Sequence, residues 1–374
     1  MKKNLHNLVF LLLSVSVLSA QVAKVGTFGS QFLKIPVGAQ GMALGEGYIN
    51  LVTGAEAAFS NPARLVTIDK MSAFASTTTW LGDMTYSAVA IGMSVGNKGK
   101  MVAFYSALNS GEMEETTIDD QMGTGNFFSS QYMQAGIGYA MPLTDKFSFG
   151  VNFKTIRENL VQGLEEDSNF GKSSSYAFDL ATNYDTGFKS LRLTMVMRHF
   201  GTELVSGGFY NDFELADTIR VEKQIIDPND DTNYITIMVA EEKEFSPYHL
   251  PMTFLFGVSY NILESKKQKL NLSTVVVQPS DNLQVFNLGV EYTVIEVFYA
   301  RGSFVFGNYP KFKGYDDQGD SIYENDFFAS DTRGLTGGFG FALPIAGFKT
   351  NIDFAYTQWA LFNPTTNMSF SVRF

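Results

Sequence analysis

Apolar and polar side chains alternate along this chain in runs longer than an ordinary globular strand, and that alternation constrains its fold more than any other feature. Over 146–155, Phe147, Phe149, Val151 and Phe153 share one face of an extended chain, while Ser148, Gly150, Asn152 and Lys154 share the other. Leu191, Leu193, Met195 and Met197 alternate with Arg192, Thr194, Val196 and Arg198 in the same way. Met252, Phe254, Phe256, Val258, Tyr260 and Ile262 alternate with Thr253, Leu255, Gly257, Ser259 and Asn261. Tyr176, Phe178 and Leu180 oppose Ala177, Asp179 and Ala181; Phe348, Ile352, Phe354 and Tyr356 oppose Lys349, Asn351, Asp353 and Ala355. A soluble sandwich also alternates. These runs, however, extend over roughly 9 to 13 residues, enough to cross a bilayer at a tilt, against about 5 to 6 in a globular sheet.

The connections point the same way. Short turns at 96–98, 142–145, 185–189, 263–267, 294–295 and 344–347 are separated by long polar segments at 109–129, 158–174, 202–248 and 307–333. Short turns at one end and long loops at the other are the asymmetry of bacterial outer-membrane barrels, with the short turns periplasmic. Fourteen strands are expected, near 71–79, 84–95, 100–108, 131–141, 146–156, 175–184, 191–199, 251–262, 269–278, 283–292, 296–306, 335–342, 348–358 and 367–374. An even number lets an antiparallel sheet close with both chain ends on one side. The expected fold is therefore a transmembrane antiparallel β-barrel.

The two chain ends fit that reading. Lys2 and Lys3 precede an apolar stretch at 8–18, and Ser19-Ala20 offers a small-residue cleavage site before Gln21, the pattern of a Sec signal peptide over 1–20. At the other end Met368, Phe370, Val372 and Phe374 alternate with Ser369, Ser371 and Arg373, and the final strand stops on an aromatic. Phe370, Val372 and Phe374 form a candidate signal for the outer-membrane assembly machinery. The expected surroundings are outer-membrane lipid, reached by export. With no cysteine, the chain has no disulfide framework, thiol nucleophile or thiolate metal site. A net charge of -11 argues against a nucleic-acid binder, which needs a basic face.

Residues 21–69 do not alternate and are rich in Gly and Ala, so they are expected to form a helical and irregular plug ahead of the barrel at 70–374. The stretch 55–65 reads as a short helix stopped at Asn61-Pro62, because the residue before a proline is pushed out of the α region. The run Phe32-Leu33-Lys34-Ile35-Pro36-Val37-Gly38-Ala39-Gln40-Gly41-Met42-Ala43-Leu44-Gly45-Glu46-Gly47, followed by Gly54-Ala55-Glu56-Ala57-Ala58 and Asn61-Pro62-Ala63, resembles the N-terminus of the PorV/PorQ family. That family belongs to the wider FadL-like group of 14-stranded barrels with an N-terminal hatch, so the resemblance implies the same strand number and a hatch at 21–69. Gly38, Gly41, Gly45, Asn61, Pro62 and Ala63 are the candidate hatch motif. Phe59-Ser60 stands where relatives often carry a Trp before the Asn-Pro pair. The resemblance implies a part in type IX protein secretion, docking sorting-domain cargo at the cell surface beside the type IX translocon. The alternative within the same group is a FadL-like transporter of hydrophobic small molecules, with Phe32, Leu33, Ile35, Met42, Leu44 and Phe59 as pocket candidates.

Catalytic chemistry finds little to work with. The three histidines, His6, His199 and His249, fall in the signal segment, at a strand end and after a long loop, so neither a histidine-centred hydrolase nor a zinc site is expected. No cofactor, metal site or enzymatic activity is expected. Asp316-Asp317-Gln318-Gly319-Asp320-Ser321 looks like a calcium loop, but the twelfth position is Phe327 where an EF-hand needs Glu. The acidic segment 202–248 is a solvated cap or a docking surface, with Asp212, Glu214, Asp227, Asp230 and Asp231 as candidate contacts, and its β-branched runs at 225–226 and 234–239 favour a hairpin. Arg192, Arg198, Lys154, Asp179, Asp353 and Lys349 face the lumen on this pattern and are expected to pair across it or with the plug.

Overall fold

The computed structural model describes residues 28–117, 120–163, 170–211, 220–227, 230–240, 242–307, 309–315, 321–326, 333–345, 347–359 and 362–374. The signal segment, Asp212, Glu214 and the calcium-like run at 316–320 lie outside the described residues.

Fourteen antiparallel strands close into a barrel. They are β1 Met71–Thr79, β2 Thr85–Ser94, β3 Lys100–Asn109, β4 Phe127–Pro142, β5 Phe147–Gln162, β6 Lys172–Asp185 and β7 Arg192–Gly201. The second half comprises β8 Thr253–Glu264, β9 Gln268–Pro279, β10 Val285–Val294, β11 Phe298–Gly307, β12 Arg333–Ile345, β13 Phe348–Trp359 and β14 Thr365–Arg373. Each strand pairs with its neighbour in sequence, and β1 closes on β14 from Ser72↔Arg373 to Thr79↔Thr366. Closure leaves no free edge in the apolar layer, which lipid demands because it supplies no hydrogen-bond partners. No helix among the described residues is long and apolar enough to cross a membrane.

The alternation does what the two solvents require. Phe153, Tyr176, Phe178, Met195, Phe254 and Phe370 are exposed on the outer wall, while Asn152, Lys154, Ala177, Asp179, Thr194 and Leu255 are buried on the inner one. β4 and β5 are 16 residues each and run past the expected ends, pairing as far as Ser129↔Gln162. Their extra length stands at the long-loop end, where the apolar half of the alternation ceases and the sequence pattern gives no sign of a strand. The hairpin expected within 202–248 forms between Arg220–Asp227 and Asp230–Ala240, and among the described residues these two strands pair only with each other.

Residues 28–68 fill the lumen as short turns of helix: Gln31–Lys34, then α1 Gly38–Leu44, then Gly45–Asn50, Gly54–Phe59 and Pro62–Thr67. The expected single helix ending at Asn61-Pro62 is instead two 3-10 turns. Asn61 caps the second, its side-chain oxygen accepting from the Ala63 N–H at 3.1 Å, with Pro62 at the first helical position where its missing N–H costs nothing. The Asn-Pro pair stops one turn and starts the next.

Candidate functional site

The hatch touches two different walls. Toward β1–β3 it is largely apolar: Leu65, Ile68, Ala57 and Ala58 pack into one buried cluster with Phe74, Tyr86, Ala88, Ala90, Val102 and Phe104. Toward β5–β13 it is bonded through polar side chains. Asn287 accepts the Gly47 N–H at 2.6 Å, Asn50 donates to Ser273 at 2.6 Å, and Arg192 donates to the Asn50 carbonyl at 2.9 Å. Arg198 pairs with Glu46 at 2.7 Å, and Gln40 donates to Glu291 at 3.2 Å. A small apolar patch around Ile49, Ala63, Val196, Leu255 and Val275 interrupts this polar side.

The expected lumen charges are paired, except that Lys349 lies exposed at the short-turn end, where the strand has already left the packed interior. Lys154 meets Asp179 at 2.8 Å, and Asn152 donates both to Asp179 at 3.0 Å and to the Ala58 carbonyl at 2.7 Å, which ties this wall to the hatch. Arg301 joins Asp353 at 2.5 Å and Glu291 at 2.7 Å. Buried charges persist only with such partners. His199 completes the first cluster: its backbone N–H donates to Asp179 at 2.8 Å, and its Nδ1 lies 2.8 Å from the Lys154 ammonium, which makes the ring the acceptor there. A register shift between Phe178 and Leu180 in the β6–β7 pairing, with His199 at φ 63°, turns both Arg198 and His199 from lipid. Strict period two cannot place two consecutive residues inward, so the sequence pattern missed His199.

Of the candidate hatch residues, Gly38 and Gly45 bracket α1 at positive φ, 80° and 56°. Gly41 lies beneath the Tyr48 ring. Asn61 is fully buried and donates to the Ile49 carbonyl at 2.8 Å. Pro62 and Ala63 press on the barrel wall at Gly150, where a Cβ would come within 2.3 Å of the hatch backbone. Burial pushes the Glu56 carboxyl, beside Gly38, up to about 8, and lowers the Arg64 guanidinium to about 9. At the C-terminus Phe370 is exposed on the outer wall, Val372 is half-buried, and Phe374 packs against Phe348 with ring centroids 4.4 Å apart and the planes tilted by 58°. Asp227, Asp230 and Asp231 lie at the turn end of the hairpin formed by Arg220–Asp227 and Asp230–Ala240.

A cavity of about 780 Å³ lies at the long-loop end, between the start of the hatch and the wall. Phe32 and Ile35 line it, as do Trp80, Met84, Leu108, Tyr132 and Leu160. Of the other pocket candidates, Leu33 and Leu44 lie in the buried core between hatch and wall, Met42 clusters with Ala355 of the wall, and Phe59 packs on Phe74 and Phe104. The chain reaches the cavity because Phe28 bridges to His249 and Gly29 donates to the His249 carbonyl at 3.1 Å, with the Tyr248 ring lying where a Gly29 side chain would stand. One acid is present, Glu158: Ser30 donates to its Oε1 at 2.6 Å and Tyr248 to its Oε2 at 2.5 Å. Neither Tyr248 nor Glu158 carried a sequence signal, because they meet from positions 90 apart in the chain.

Solved structures share this architecture. The monoaromatic hydrocarbon channel CymD superimposes with a TM-score of 0.50 at 12% identity, over 91% of this chain and 97% of its own. The Pseudomonas putida toluene transporter TodX gives 0.50 at 11% identity over 90% and 96%, and a TodX mutant described as a monoaromatic hydrocarbon channel gives 0.51 at 11% over 90% and 97%. No protein-family profile and no curated protein sequence matches the chain. At these identities the likeness shows the fold alone: a closed antiparallel β-barrel of fourteen strands.

Proposed function

We propose that this chain is an outer-membrane channel for hydrophobic small molecules, and that the cavity beside Phe32 and Trp80 is where such a molecule first binds. The observation that carries the reading is the cavity itself. Its volume falls within the roughly 300–1,000 Å³ range of small-molecule sites. Its wall is mostly aromatic and aliphatic, with Ser30, Gln31, Glu158, Ser206 and Ser246 as its polar members, and it sits against the first described residues of the hatch, so that occupancy bears directly on the segment that fills the lumen. CymD and TodX, which share the fold, are described as a monoaromatic hydrocarbon channel and a toluene transporter, which supports the same reading.

Trp80 lines the cavity and meets Trp359 edge-on at 5.3 Å, and the sequence has 2 tryptophans in all, so intrinsic fluorescence reports on this end of the barrel alone. Titrating toluene into the purified protein in nanodiscs is expected to change that fluorescence saturably, and Ile35→Trp, read by toluene uptake into proteoliposomes, is expected to cut uptake at least fivefold by filling the cavity. Wild-type uptake no faster than through protein-free liposomes sinks the reading.

The cargo-docking role implied by the PorV/PorQ resemblance is a second proposal, supported by the self-paired hairpin 220–240, which adds nothing to barrel closure. Deleting that hairpin separates the two: docking predicts lost cargo attachment with toluene uptake intact.

A further inference from the structure

We infer that the cavity discriminates by charge: it admits apolar molecules whose polar end is neutral or cationic, rejects carboxylates, and owes that discrimination to Glu158. The inference rests on the channel reading and names its substrate class.

Glu158 is 5% exposed and lines the cavity. Hydrogen bonds reach both of its oxygens, from Ser30 on one and Tyr248 on the other, with Ser173 Oγ 3.4 Å from the second. A carboxylate has about four acceptor positions and three hydroxyls approach this one, so at least one stays open to a donor on a ligand. Burial and the adjacent Glu158 push the Tyr248 hydroxyl up to about 12, so it remains a donor at neutral pH. These donors are neutral hydroxyls. No Lys, Arg or His lines the cavity, and Glu158 forms no ion pair among the described residues.

The basic groups nearby are committed elsewhere. Lys154, two repeats of the alternation deeper on the same strand, is held by Asp179 and His199; Lys34 is held by Asp281 at 2.5 Å. A ligand carboxylate entering this space meets a fixed negative charge in apolar surroundings with no cation to receive it, whereas an alcohol or an ammonium meets an acceptor. Selectivity of this kind works by an unpaired like charge placed against the wrong ligand.

The test compares three chains of equal length, 1-octanol, octylamine and octanoate, at pH 8 with the full-length protein in zwitterionic nanodiscs, read by tryptophan fluorescence. Octanoate is expected to bind at least tenfold more weakly than octanol, and octylamine at least as tightly as octanol. In Glu158→Gln, octanoate should tighten at least tenfold while octanol changes less than threefold. Tyr248→Phe, which removes a donor but keeps the carboxylate, should preserve the rejection of octanoate. Octanoate binding as tightly as octanol to the wild-type protein overturns the inference without recourse to any variant. So does a Glu158→Gln protein that shifts all three ligands by the same factor, since the residue then only anchors Ser30 and Tyr248. Binding of octanol with no charge discrimination leaves the channel reading standing; no binding of any of the three removes both.

Discussion

The lumen has two unlike sides, and the hatch is held differently by each. Against β1–β3 it buries Leu65, Ile68 and neighbouring alanines on Phe74, Tyr86, Val102 and Phe104, with little directional bonding. Against β5–β13 it is fixed by hydrogen bonds to Asn152, Ser273 and Asn287 and by the Arg198–Glu46 pair, with the apolar patch around Ile49 between them. Apolar burial is non-directional and scales with area, so the first side supplies adhesion. Hydrogen bonds add little net stability but cost dearly when a partner is lost, so the second side fixes where the hatch sits.

The sharpest way to break the comparison is on the polar side. Lys154→Met leaves Asp179 buried without its cation and is expected to cost about 3–5 kcal/mol, while Lys154→Met with Asp179→Leu recovers most of that loss. Denaturant midpoints in lipid check this, and a double variant as weak as the single would show that the pair contributes net stability rather than merely tolerating burial. Leu65→Ala on the apolar side removes a fully buried side chain and is expected to cost about 2–5 kcal/mol by leaving a cavity. Its signature is a hatch more open to protease in a barrel that still migrates as folded. The smallest effect expected is at Asn287→Ala, which deprives the buried Gly47 N–H of its acceptor at a cost of about 1–3 kcal/mol. Single-channel recordings should show it as more frequent brief openings, with the open-state conductance unchanged.

The comparison also marks how far the sequence could be read. Phe147 to Lys154 state their own orientation, because a strand between lipid and lumen has to obey period two. Short turns and long loops gave the up-and-down order for a similar reason: adjacent antiparallel strands need only a few residues to connect. The Asn61-Pro62 break was legible as well, though not that Asn61 also caps the next turn, since capping depends on backbone angles that the proline alone does not set.

What the sequence by itself determined is the wall: strands, their inward and outward faces, and the gap ahead of β1 that had to be something other than strand. Only the tertiary structure decided the contents of the lumen. Glu158 and Tyr248, Lys154 and His199, Arg301 and Asp353 come together across strands by closure of the barrel and by one shift of register. No local pattern encodes those meetings, because period two records which face a side chain takes and carries no information about what stands opposite it in the lumen.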